Sequence, residues 1–153
     1  MSEKPTNPKD ILGSKKISLS LVPWTAIIGM ATAFLEGALK YGRFNWRVKG
    51  VRASIYVDAN LRHLAKYFNG QTRDKATRVH HLDNAMACLA IMRDAEVYGC
   101  LVDDRAPAVD PDRMAEFIDE QESIVEHLQT LFAAHDPHQY TIADTATECD
   151  IPY

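Results

Sequence analysis

Apolar residues in this chain recur at steps of three and four, and no stretch alternates as a β-strand would. Tyr56, Leu61, Leu64, Ala65 and Phe68 follow that spacing, as do Leu82, Ala85, Met86, Leu89 and Met92. Met114, Phe117, Ile118, Val125, Leu128, Leu131 and Phe132 repeat it further on. A period near 3.6 puts such residues on one face of a helix, and that face has to be buried against another element. The spacing therefore predicts an all-α bundle of about four main helices. Local punctuation sets the expected ends. Pro23 suits the first helical position, and Gly42 suits a left-handed stop after Tyr41. The second helix is expected over 51–68, halted by Asn69-Gly70, and the third over 76–98, ended by Gly99. Asp110-Pro111 pairs a capping acid with proline and opens a fourth helix to about residue 134. The segment RFNWRVKG is expected to be a loop, and the first 18 or so residues extended around Pro5 and Pro8, with a turn at Gly13-Ser14.

Composition narrows the class. With 153 residues, 46% of them hydrophobic, the chain suits a single domain with a real core. The expected division is a core over 1–107, a C-terminal helix over 108–134 available for an oligomer contact, and a tail over 135–153. A net charge of −4 and a pI near 5.8 argue against a general nucleic-acid binder. Cys88, Cys100 and Cys149 are widely spaced, so neither a zinc knuckle nor a disulfide framework is expected. The polar start MSEKPTNPKD is unlike a signal peptide. The apolar run Leu19 to Leu35 is broken by Pro23, Trp24, Thr25, Gly29 and Thr32, which reads as a core helix and not a membrane span. Cytoplasm is the expected compartment, with no membrane partner.

The chemistry concentrates in FLEGALKYGRFNWR, residues 34–47. Glu36 interrupts an apolar helix, and Lys40 shares its face four residues on. Two readings follow: a plain i,i+4 ion pair, or a metal ligand beside a phosphate-binding lysine. The third helix places His80, Asp83, Ala87, Ala90 and Asp94 along one stripe, with His81 and Asn84 beside it. A polar helix start with a first-turn acid is the plainer account of those residues. Asp58 and Arg62 on the second helix, next to His63, read either as a surface pair or as part of the same cleft. If Glu36, Asp58 and Asp83 converge, three hard oxygen donors suit Mg²⁺ or Mn²⁺, and His80 or His81 suits manganese. Lys15, Lys16, Lys40, Arg43, Arg47 and Arg62 then serve as phosphate contacts. Tyr41, Phe44 and Trp46 are able to stack on a purine, and Asn45 to hydrogen-bond its edge.

In order along the chain stand NPKD-x-x-GSKK, E-G-A-x-K-Y-G-x-x-N-W-R, L-R-H-L, H-H-L-D-N-A-x-A-C-L-A-I, D-A-E and D-D-R-x-P. Together, over residues 7 to 107, they resemble the phage dATP/dGTP diphosphohydrolase family of the all-α, MazG-like NTP pyrophosphohydrolase superfamily, and within it the MazZ-like branch of phages that replace adenine by 2-aminoadenine. The resemblance implies cleavage of a purine nucleoside triphosphate between its α and β phosphates, (d)GTP giving (d)GMP and pyrophosphate. It implies two or more Mg²⁺ or Mn²⁺ ions per site, and a homodimer or homotetramer whose neighbouring helices complete the bundle. Carried onto this sequence, it implies Glu36, Asp58, His80 and Asp83 as metal ligands, with Glu36, Lys40 and Asp83 catalytic. Lys15, Lys16, Lys40, Asn45, Trp46, Arg47, Arg62 and His81 fall to the substrate. The usual ExxE and ExxD acid pairs are not in standard form here, since Glu36 is followed by Lys40 and the later helix carries His80 with Asp83. The readings outside this one are a dATP or broader dNTP diphosphohydrolase, and a non-catalytic helical module that binds nucleotide or protein.

Overall fold

A computed structural model of the chain describes residues 7–13 and 15–144. The described residues fall into two compact units, divided between Asp104 and Arg105. The first unit is helical, as the periodicity requires. Helix α1 (Pro8–Gly13) occupies part of the stretch expected to be extended. The proline that argued against helix sits at its first position, where no N–H is needed, and the Asn7 side chain accepts the Lys9 N–H at 2.9 Å. Pro5 and Ser14 lie outside the described residues.

Helix α2 (Trp24–Tyr41) begins directly after Pro23 and stops where Gly42 turns to a φ of +88°. The expected loop that follows contains a short helix instead, α3 (Asn45–Lys49). Trp46 accounts for the difference. It is 9% exposed and packs on Phe34 and Phe44, so the segment is drawn inward and coils. A second departure is a two-residue parallel strand pair, β1 (Val51–Arg52) with β2 (Leu101–Val102), in the register Val51 to Leu101 and Arg52 to Val102. The Val51 N–H donates to the Cys100 carbonyl at 3.1 Å. The expected second helix therefore starts two residues late, as α4 (Ala53–Phe68).

Helix α5 (His81–Val97) starts five residues later than the periodicity suggested. Asp74 accepts the N–H groups of Ala76 and Thr77 at 2.9 and 3.0 Å, and Arg78 takes a left-handed φ of +63°. Such local side-chain bonds compete with helix. The His80 imidazole then caps α5, its Nδ1 accepting the Leu82 N–H at 3.1 Å. Alanines let the helices approach: Ala85, Ala87 and Ala95 of α5 are buried, and Asn60 of α4 donates to the Ala85 carbonyl at 2.9 Å. Gly29 of α2 is needed for the same reason. A Cβ there would stand 2.2 Å from Asp83 Oδ1. One small core gathers Ala33, Val79 and Ala87 with Met30 and Phe34, and another gathers Trp46, Val51 and Ala95 with Tyr56 and Ile91.

The second unit contains α6 (Pro111–Leu131), opened as expected by Asp110, whose carboxylate accepts the Asp112 N–H at 3.1 Å. Among the described residues no helix is long and apolar enough to cross a membrane.

Candidate functional site

A cavity of about 600 Å³ opens in the first unit. Glu36 and Lys40 of α2, His63 of α4, Asp74 of the α4–α5 connection and Asn84 of α5 supply its polar groups. Phe34, Tyr41, Trp46 and Tyr56 supply apolar and aromatic wall, with Asn45 beside Trp46. Lys40 does form the i,i+4 ion pair with Glu36 Oε1. The hydrogen bond to Glu36 raises the Lys40 ammonium above its ordinary range. Only 17% of the Glu36 side chain is exposed, and its other oxygen, Oε2, is buried without a hydrogen-bond partner. A carboxylate oxygen out of water without a partner is costly, so this atom has unused capacity for a donor or a cation.

Beside it, His63 and His81 meet through their Nδ1 atoms at 3.0 Å, one ring donating and the other accepting. His81 is fully buried, and its Nε2 has no partner. Burial, reinforced by His81 and Lys66, lowers the His63 pKa, so that ring is biased to the neutral form. The N–H groups of Thr77 and Ala76 hold the Asp74 carboxyl below its ordinary range. Burial raises the Tyr56 phenol and the Cys88 thiol, leaving both cavity-lining groups protonated near neutral pH.

A carboxylate from α5 holds the aromatic end. Asp94 Oδ2 accepts the Trp46 indole N–H at 2.6 Å and the Arg47 Nε–H at 2.8 Å, and Oδ1 accepts Arg47 Nη2 at 2.7 Å. Arg47 first, and Trp46 after it, lower the Asp94 pKa to about 2. The Arg47 guanidinium also lies over the Tyr98 ring at 4.3 Å. Helix α3 is thereby tied to α5, and Trp46 is fixed as a wall of the cavity.

The family model described as dATP/dGTP diphosphohydrolase, N-terminal, matches residues 6–105, which is well over half of the chain. The chain belongs to the dATP/dGTP diphosphohydrolase family. It is accordingly a nucleotide diphosphohydrolase enzyme. The match ends at residue 105, one residue past the end of the first compact unit at Asp104, so the family portion falls almost entirely on that unit. No curated protein matches the chain, and no solved structure does.

The diphosphohydrolase fold separates residues that the sequence suggested together. Glu36, Lys40, Asn45 and Trp46 line the cavity, and His81 lies in contact with its His63. Asp83 and His80 line a second cavity of about 560 Å³, with Gly29 and Arg73. Asp58 and Arg62 lie on the exposed side of α4, line neither cavity and form no ion pair with each other. The reason is helix rotation: Tyr56, Ala59 and His63 face inward, and the 58 and 62 positions fall off that stripe. Lys15 and Lys16 are exposed beyond α1. Arg47 is engaged by Asp94 and is not part of the cavity lining. The expected convergence of Glu36, Asp58 and Asp83 is thus not made within one chain. Among the described residues no three His, Cys, Asp or Glu side chains are grouped to hold a metal ion. One donor does fit a hard cation, the unpartnered Glu36 Oε2. Mg²⁺ commonly takes one or two carboxylates and fills its remaining positions with phosphate and water, which this site suits.

The sequence places His63 beside Asp58 and Arg62, and Asn84 beside His81, without giving either a site role, and it does not mark Asp74 at all. His63 carried a signal, lying four residues after Ala59 and seven after Tyr56 on one helical face. Asp74 carried none, because its position depends on a turn.

Proposed function

We propose that the chain is a metal-dependent diphosphohydrolase that cleaves (d)GTP between its α and β phosphates, giving (d)GMP and pyrophosphate. The observation that carries this reading is the buried, unpartnered Glu36 Oε2 beside Lys40 in an aromatic-walled cavity of an enzyme of this family. Glu36 holds Mg²⁺ or Mn²⁺, with substrate phosphate completing the set. The ion supplies neutralisation of phosphate charge and activation of water. Lys40 stabilises charge on the departing pyrophosphate. Phe34, Trp46 and Tyr56 offer faces to a purine, and the Asn45 and Asn84 amides offer both donors and acceptors to its edge. The cavity volume of about 600 Å³ is in the usual range for a small-molecule ligand.

The choice of guanine rests on the resemblance to the MazZ-like branch, as does the role of supplying dGMP for 2-aminoadenine DNA in a phage-infected cell. A homodimer or homotetramer is part of the same reading. Ile28 and Leu39 of α2 and Ile55, Leu61 and Phe68 of α4 are exposed large apolar residues that a neighbouring copy would cover.

Separation of products by chromatography after incubation with dGTP, GTP or dATP and Mg²⁺ or Mn²⁺ tests the reading. The expected result is pyrophosphate with dGMP and GMP, faster than dAMP from dATP. Glu36→Gln, which keeps the shape and removes the charge, is expected to lower turnover at least a hundredfold with the fold intact. Full turnover in that variant would sink the role given to Glu36. A dATP preference would keep the enzyme and overturn the guanine assignment.

A further inference from the structure

The fully buried His81 side chain makes one hydrogen bond, between its Nδ1 and the Nδ1 of His63 at 3.0 Å. Its Nε2 has no partner. A bond between two imidazole nitrogens needs one proton, so one ring donates and the other accepts. If His63 donated, whether neutral or charged, His81 would keep its own proton on Nε2, where nothing accepts it. A charged His81 would strand the same N–H and bury a charge as well. In one arrangement no N–H is stranded: His81 donates from Nδ1, and its Nε2 is a bare lone pair. Orphaned buried N–H groups are rarer than under-used acceptors, which favours this arrangement. His63 then accepts at Nδ1. A ring that accepts there is neutral and holds its proton on Nε2.

His63 lines the larger cavity, and its Nε2 is committed to no hydrogen bond among the described residues. Glu36 and Asp74 are near enough to act on the His63 ring, and Asp74 to act on Lys40, so these four groups gather at one end of the cavity. We propose that His63 meets the substrate as a neutral imidazole that donates its Nε2–H to a phosphate oxygen, and that His81 is the positioning residue that fixes this tautomer. The proposal rests on the reading of this cavity as the nucleotide site. An ionised phosphate oxygen only accepts, so an N–H turned toward it attracts it and a bare ring nitrogen would repel it. Lys40 is already paired with Glu36, and His63 adds a donor that no protein carboxylate holds. The same assignment excludes His63 as the base that takes a proton from the attacking water, because its one lone pair is spent on His81.

Two measurements on the full-length chain test this. Two-bond nitrogen–proton NMR on histidine labelled with nitrogen-15, without nucleotide at pH 8, reads each tautomer. His81 is expected with its proton on Nδ1 and His63 with its proton on Nε2. A His81 proton on Nε2 overturns the proposal whatever the variants do. Calorimetry then measures binding of dGTP and dATP analogues that carry a methylene between the α and β phosphorus atoms, with Mg²⁺. His63→Phe is expected to weaken the tighter analogue at least about tenfold, the range for a hydrogen bond to a charged group. His63→Gln, whose amide N–H reaches the Nε2 position, should recover most of that loss. His81→Asn, which still donates to His63, should bind more tightly than His81→Leu. Equal affinity in folded His63→Phe and wild type overturns the donor role and leaves the nucleotide site standing. Equal affinity in folded His81→Asn and His81→Leu removes His81 as the positioning residue. A wild type that binds neither analogue overturns the site reading and the donor role together. If His63→Phe does not fold, the wild-type spectrum decides: the His63 Nε2–H signal must move when analogue binds, and an unmoved signal overturns the proposal.

Discussion

Gly29→Ala is a sharp probe of how α2 is seated, because the added methyl has a measured obstacle. It would lie 2.2 Å from Asp83 Oδ1, 2.7 Å from Cγ and 2.9 Å from Oδ2. Ordinary non-bonded contact is about 3.5–4.0 Å, so the Asp83 carboxyl must swing away or α2 must lift. Alanine in place of glycine inside a helix gains roughly 0.5–1 kcal/mol. Overpacking of this kind costs typically about 1–3 kcal/mol. The net expectation is a loss of about 1 kcal/mol. In an Asp83→Ala background the obstacle is gone, and the same change should stabilise by up to about 1 kcal/mol. Urea unfolding followed by circular dichroism on the four chains of this cycle reads a coupling of roughly 2 kcal/mol between positions 29 and 83. The sign of the Gly29→Ala effect is expected to reverse between backgrounds. Equal stabilisation in both would refute the close approach of α2 to α5, and with it the placement of Glu36 that depends on α2.

Loss of Asp94 should free the wall of the cavity. In a Trp24→Phe chain, Trp46 is the remaining tryptophan, and Asp94→Ala is expected to shift its emission to the red and raise the substrate KM; an unmoved spectrum would count against the tie between α3 and α5. Acid should weaken the fold through His63. Its folded pKa lies below the ordinary 6.5, so the unfolded chain takes up the proton first, and stability falls as pH drops from about 6.5 through the depressed value. Unfolding at pH 7.5, 6.5 and 5.5 should show a shallower decline for His63→Gln than for wild type. An identical slope would remove His63 as its source.

Much of the fold was legible in the chain. α2, α4, α5 and α6 follow from apolar spacing and from Pro23, Gly42, Asn69-Gly70, Gly99 and Asp110-Pro111, because helix period and end chemistry are local. The short pieces were not. α3 exists because Trp46 is drawn against Phe34 and held by Asp94, and β1 pairs with β2 across about fifty residues. The start of α5 was misjudged because the Asp74 turn and the left-handed Arg78 outweigh the apolar pattern.

The candidate site divides along the same line. Glu36, Lys40, Asn45 and Trp46 sit within eleven residues of one another, so the sequence alone determined that they would share a neighbourhood. Which side of each helix turns inward was decided only by packing. Gly29 against Asp83 and Asn60 against the Ala85 carbonyl mark how α2 and α4 seat on α5. That seating brings His63 and Asp74 to Glu36, puts Asp83 and His80 on a different cavity, and leaves Asp58 in solvent. Spacing along a helix gives relative angle, but the absolute rotation comes from contacts between residues far apart in the chain.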